Sequence, residues 1–158
     1  MSFDIYLERL VSGNSAEADR QKILPILREY CQDSVVGKFP IYTVRFPDGS
    51  HVEFSAKGLE SDEAFTGCSF NIRGFTVALI TFIHEIAIAG DMVIFNAQGN
   101  DTPEKPLVIL TSTDQQLNLP PGVAVNPVLC SSPSHLSRLL GVAFNEWADY
   151  RDHVIGRS

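Results

Sequence analysis

The sequence predicts an α+β domain with a single mixed, mainly antiparallel sheet of about six strands and about three helices, largely on one face. Three observations predict it. Four short stretches in the first half alternate apolar and polar residues, the period of a strand with one buried and one solvated face. Two later runs, Met92-Val93-Ile94-Phe95 and Leu107-Val108-Ile109-Leu110, are continuously apolar, as in strands buried on both faces. Around them lie three stretches with helix-start signals and apolar residues at helical spacing.

In the first strand, Phe3, Ile5 and Leu7 alternate with Asp4, Tyr6 and Glu8. Ser12-Gly13-Asn14 breaks the chain, and Asn14 with Glu17 has capping-box spacing, which predicts a helix from there to about Tyr30. Ile23, Leu24, Leu27 and Tyr30 would be its buried face, and Pro25 would kink or split it. Between Pro40 and Lys57 the signal is a β-hairpin. Tyr42, Val44 and Phe46 alternate with Ile41, Thr43 and Arg45, Pro47-Asp48-Gly49-Ser50 turns, and Val52, Phe54 and Ala56 alternate with His51, Glu53 and Ser55. An acidic loop, Glu60-Ser61-Asp62-Glu63, leads to a further strand with Cys68, Phe70 and Ile72 on one side and Ser69, Asn71 and Arg73 on the other.

Phe75 to Phe95 carries the centre of the core. Thr76 is placed to N-cap a helix, with Phe75 and Ile80 spaced as a hydrophobic staple. From Val77 to Ala89 nearly every residue is apolar, so the helix is covered on most sides. Thr81, His84 and Glu85 form its narrow outward stripe, and Gly90 stands where a left-handed C-terminal cap is wanted. After the strand run, Gln98 to Pro106 reads as a polar loop, and Pro120-Pro121-Gly122 with Pro127 as an irregular connection. Ser132-Pro133 starts a last amphipathic helix, with Leu136, Leu139, Leu140, Ala143, Trp147 and Tyr150 on one face.

The chain reads as a single globular domain over residues 1–158, with 44% hydrophobic and 20% charged residues, the balance of an ordinary soluble globule. A net charge of −7 argues against nucleic acid as the main partner and favours encounter with a basic surface. The three cysteines are far apart and form no C-x-x-C, so a reduced, cytoplasmic setting is expected. The N-terminus has no signal-peptide pattern, and no apolar run is long enough for a bilayer, so no membrane partner is expected.

Chemical motifs are few. The chain holds no G-x-S-x-G, no P-loop and no G-x-G-x-x-G. His84-Glu85 opens like a zinc-protease motif, but position 88 is Ile88 where a second His is required, so no metal and no cofactor are expected. Cys68 is placed to point into the core with Phe70 and Ile72 rather than to act as a nucleophile. No catalytic residue is assigned. The four alternating strands should leave one polar sheet face carrying Asp4, Tyr6, Glu8, Thr43, Arg45, Glu53, Ser69, Asn71 and Arg73. The candidate partner-binding residues are Tyr6, Arg45, Glu53, Asn71 and Arg73 on that face, with Glu60, Asp62 and Glu63 in the acidic loop and Asp101 and Glu104 in a second one. The alternative is a small enzyme or ligand-binding domain with a site near His84, Glu85 and Asp91. A third reading is a homo-oligomer subunit joined through the last helix.

The segments Met1-Ser2-Phe3-Asp4-Ile5, Phe46-Pro47-Asp48-Gly49-Ser50, Phe70-Asn71-Ile72-Arg73-Gly74-Phe75, Ala89-Gly90-Asp91-Met92-Val93-Ile94 and Trp147-Ala148-Asp149-Tyr150-Arg151-Asp152 resemble a family of short, uncharacterised bacterial α+β proteins. The resemblance implies a fold and carries over no catalytic site. In size, acidity and architecture the chain also looks like the immunity proteins that neutralise bacterial toxins. That implies a non-catalytic protein partner, a basic toxin domain, which the polar face and acidic loops would cover.

Overall fold

The structure is a computed structural model and describes residues 3–31 and 41–142. In chain order the elements are β1 (Phe3–Glu8), β2 (Leu10–Val11), β3 (Asn14–Ser15), α1 (Arg20–Arg28), β4 (Ile41–Arg45), β5 (His51–Ser55), β6 (Gly67–Ile72) and α2 (Val77–Ala89). They continue with β7 (Val93–Asn96), β8 (Val108–Leu110), a 3-10 helix (Thr113–Asn118), β9 (Val128–Leu129) and α3 (Pro133–Leu139). Among the described residues one seven-stranded sheet runs β4-β5-β6-β1-β7-β8-β9, antiparallel except for the parallel β8–β9 pair. The α+β class and the mixed, mainly antiparallel sheet are therefore as the sequence predicts. The strand beyond the expected six is β9, two residues inside the proline-rich connection.

The alternating strands place their apolar residues on one face. Across β4, β5, β6 and β1 the register lines up Tyr42, Phe54, Phe70 and Ile5, all at most 1% exposed. On this face sit α1 with Ile23 and Leu27, α2 with Leu79 to Ala87, and α3 with Leu136 and Leu139. The α2 helix lies between α1 and α3. Phe82 is its deepest anchor. Its ring centroid lies 5.6 Å from Phe46, 5.7 Å from Tyr30 and 6.0 Å from both Phe54 and Phe70, all four pairs T-shaped, and the Tyr30 contact joins the end of α1. Edge-on rings at this spacing add to the area they bury, because the positive rim of one meets the negative face of another.

The start of α2 is as its sequence specifies: Thr76 is extended, and its Oγ1 accepts from Leu79 N at 3.1 Å. Its end differs. Gly90 is right-handed at φ −89°, and Asp91 takes the left-handed turn at φ +52°. Gly90 is packed closely instead, with the Met92 side chain and the tip of Ile23 where a Cβ would lie. An aspartate tolerates the left-handed region better than most residues. Here its carboxylate is held by Gln115 Nε2 at 2.9 Å and faces Arg9 at 3.9 Å.

The first helix also starts later than its sequence suggests. Asn14 is not a helix cap: it pairs with Val11 in a two-residue hairpin whose turn, Ser12-Gly13, has φ +52° and +80°. Such a doubly left-handed turn suits the twist of a tight hairpin, and it wins Asn14 for a strand. Asp19 caps α1 instead, accepting from Gln21 N at 3.0 Å. The helix is continuous through Pro25. The carbonyl left unbonded is Gln21's, at an exposed position of the first turn. At the other end α3 has Ser132 as N-cap and Pro133 first, and it closes at Leu140 with Gly141 at φ +77°. Ala143, Trp147 and Tyr150, expected on its apolar face, lie outside the described residues, as do Pro40 and Met1-Ser2.

Phe82→Ala should cost about 3–5 kcal/mol in urea unfolding, because it empties the ring cluster that joins α2, α1 and three strands. A loss below about 1 kcal/mol would show that this cluster does not hold the layers together.

Candidate functional site

The two halves of the sheet's other face differ. Over β7 and β8 it is covered: Val93, Val108 and Leu110 are buried beneath Leu119, Val123 and Ala124, with Leu10 and Phe95 packed beside them. The cover is pinned by Gln115, which is 5% exposed. Its Oε1 accepts from Thr111 N at 2.7 Å, and its Nε2 donates to Asp91 and Thr111. The 3-10 helix is tied in turn to the β2–β3 hairpin, where Ser12 and Gly13 N–H groups donate to Asn118. Over β1, β6, β5 and β4 no such cover exists among the described residues, and the side chains pointing outward are polar or half-exposed.

Register orders this open half into cross-strand rows. One row runs Ile41, Ser55, Ser69, Tyr6 and ends at Phe95 under the cover. Tyr6 and Ile41 are each 48% exposed, large apolar bodies on a face that is otherwise polar. The next row is Thr43, Glu53, Asn71, Asp4, with Asn71 Nδ2 donating to Asp4 Oδ1 at 3.4 Å. Beyond it Arg45 pairs with His51, and Arg73 follows β6. At that end a cleft of about 600 Å³ opens between the hairpin turn and the start of α2, lined by Ser50, His51, Glu53, Asn71, Arg73 and Phe75 among others. Tyr6, Arg45, Glu53, Asn71 and Arg73 thus share one surface. His51 and Ile41 belong to it too. The three-residue Pro47-Asp48-Gly49 turn, closed by the Phe46 N–H donating to the Ser50 carbonyl, carried that signal, because pairing residues outward from it sets Arg45 against His51 and Ile41 against Ser55.

The acidic loop does not join this surface. Glu60 is turned into the helical side, where it accepts from Tyr42 Oη at 2.6 Å and is ion-paired with Arg28 of α1. Arg20 donates to the carbonyls of Ser61 and Glu63. The loop is thereby strapped to α1, with Asp62 and Glu63 exposed on that side. Burial and the neighbouring Glu60 carboxylate push the Tyr42 phenol well above its usual range, so it stays a donor. Asp101 is likewise employed internally, accepting from the N–H groups of Val125 at 2.8 Å and Asn126 at 3.0 Å.

His84, Glu85 and Asp91 are not gathered into one site. His84 is only 8% exposed, so it is not part of an outward stripe as its sequence position suggests; that stripe includes Glu85 and Ile88. A step of about 100° per residue is enough to carry His84 from the outward line onto a covered flank. Burial pushes its imidazole below the ordinary value. Glu85 is exposed, and its carboxyl is raised by partial desolvation and by Glu29 at the end of α1. Asp91 lies beyond the helix end, held by Gln115 and Arg9. Cys68 is buried against the core, and desolvation pushes its thiol far up, out of nucleophile range. No helix among the described residues is long and apolar enough to cross a membrane.

Comparison of the chain with protein-family models, with curated proteins and with solved structures finds no match.

Tyr42→Phe should destabilise the protein by about 1.5–3 kcal/mol, the range for a bond to a charged acceptor, and speed proteolysis within residues 57–65. Unchanged stability would mean that the strap is not held by this bond. For His84 the sign follows from its depressed affinity for protons. Below about pH 6.5 the unfolded chain binds a proton that the folded one resists, so stability falls with acid until the lower folded value is passed. His84→Leu should flatten the stability profile between about pH 7 and 5, read by urea midpoints. An identical slope in both proteins would place the acid sensitivity elsewhere.

Proposed function

We propose that the protein is a non-catalytic protein-binding module that docks through the open half of its sheet. In its most concrete form it is a cytoplasmic immunity protein that neutralises a cognate bacterial toxin by occluding it. The observation that carries this reading is the contrast within one sheet face: β7 and β8 are covered by a pinned loop layer, whereas no described residue covers β1, β6, β5 and β4. On the bare half Tyr6 and Ile41 supply apolar area at the two ends of one row, with Ser55 and Ser69 between them and polar rows beside it. Tyrosine and arginine are the side chains that most often dominate binding energy. The net charge of −7 favours encounter with a basic partner, while the Glu60–Glu63 loop expected to help cover it faces α1. Docking is therefore assigned to the sheet face, with Tyr6 on β1 and with Arg45, Glu53, Asn71 and Arg73 on the neighbouring rows.

Tagged protein should capture one stoichiometric partner from its native cells. Tyr6→Glu should weaken that complex by about a hundredfold or more, as expected for a hot-spot anchor, while Asp62→Lys with Glu63→Lys leaves it nearly intact. Expressed alone, the partner should arrest growth, and co-expression of the wild-type chain should restore it. If Tyr6→Glu leaves capture unchanged and the loop reversal abolishes it, the docking surface is the α1 side and this assignment is wrong.

A further inference from the structure

The end of the open face carries a second feature that docking by Tyr6 does not require. Arg45 stands opposite His51 across the β4–β5 pair. The β5–β6 register, which pairs Glu53 with Asn71 and Ser55 with Ser69, continues to set His51 opposite Arg73. Arg73 and His51 both line the cleft, so the continuation agrees with their placement. Arg45 on β4, His51 on β5 and Arg73 one residue past the end of β6 therefore lie in one row at this end of the face, about 10 Å between the outer two. All three are exposed. No hydrogen bond or ion pair joins any of these side chains to another described residue.

Arg45 and Arg73 flank His51, and both guanidinium groups are exposed without an ion pair to another described residue. An anion lying between Arg45 and Arg73 meets charge-assisted donors from both sides. The cleft volume of about 600 Å³ has room for a small ligand, since small-molecule sites run to roughly 300–1,000 Å³. Two guanidinium forks and an imidazole side by side in one row offer more donors than the two oxygens of a carboxylate can use, which suits the several oxygens of a phosphoryl group. The remaining walls suit an organic portion: Phe75 offers ring surface, steadied by Phe3 at 5.3 Å, and Glu53 and Asn71 can bond hydroxyl or amine groups.

We propose that Arg45, His51 and Arg73 form a binding site for the phosphoryl group of a small organic phosphate, whose remainder lies in the cleft between the β4–β5 turn and the start of α2. The site rests on its own observations and stands whether or not a protein docks at Tyr6.

The test is a titration of the full chain with inorganic phosphate and with glycerol phosphate at constant ionic strength, followed by amide chemical shifts. Saturable shifts should be confined to residues 45–53 and 71–76, with glycerol phosphate binding more tightly than inorganic phosphate. Arg73→Gln should weaken binding about tenfold or more, the loss of one charge-assisted pair, with an unchanged melting temperature. Arg73→Lys should recover part of it, and Arg138→Gln, an exposed cation on α3, should change nothing. The proposal is overturned by shifts that do not saturate, by equal binding of citrate, or by equal losses in Arg73→Gln and Arg138→Gln, which would reduce the effect to general charge.

Discussion

The seating of α2 on the sheet is the constraint from which the rest follows. The helix is apolar on most of its circumference, so it must be covered on three sides: by the sheet below, by α1 on one flank and by α3 on the other. Phe82 fixes that seating, since its ring sits among four others drawn from α1's end, β4's end, β5 and β6. Once the helices are committed to one face, the described residues left for the opposite face are loops. The loop layer pinned by Gln115 reaches β7 and β8, and the described chain offers nothing similar over β1 to β4. The bare half is thus a direct consequence of where the apolar residues were placed.

That consequence links packing to function. Alternation in β1, β4, β5 and β6 sends aromatic and aliphatic residues to the helices and leaves bands on the outside: a guanidinium–imidazole row, an amide and carboxylate row, and a row with Tyr6 and Ile41. Each band is straight because register in a half-buried sheet is strongly specified; a slip of one residue would bury the polar set. The acidic loop contributes in a different way. With Glu60 bonded to Tyr42 and Arg28, it works as a strap across α1 and β4, so its charge is spent on holding the helical layer.

Much of this was legible in the sequence, for identifiable reasons. The hairpin from Ile41 to Ser55, the alternation in β1 and β6, the Thr76 cap and the Ser132-Pro133 start all rest on local patterns with one dominant solution. The misread places are those where two local solutions compete or where a distant partner decides. Asn14 can cap a helix or close a hairpin, and the left-handed Ser12-Gly13 turn decided for the hairpin. Gly90 and Asp91 exchange roles because Met92 and Ile23 crowd one position while Gln115, 24 residues on from Asp91, holds the other. β9 is too short to show a period, and its pairing with β8 is long-range. Of the candidate site, the residues of the polar face came from alternation alone. That Glu60 faces inward could not, because its partners Arg28 and Tyr42 are 32 and 18 residues away.

The central claim is that the outer face of β4, β5, β6 and β1 is where a partner sits. Hydroxyl-radical footprinting of the free chain against the partner-bound chain tests it most directly. Tyr6 and Ile41, each 48% exposed, should oxidise readily in the free protein and be shielded in the complex, while Leu117 and Val125, more than 80% exposed on the loop layer, should react equally in both. Shielding of Leu117 and Val125 with Tyr6 and Ile41 unaffected would contradict the account.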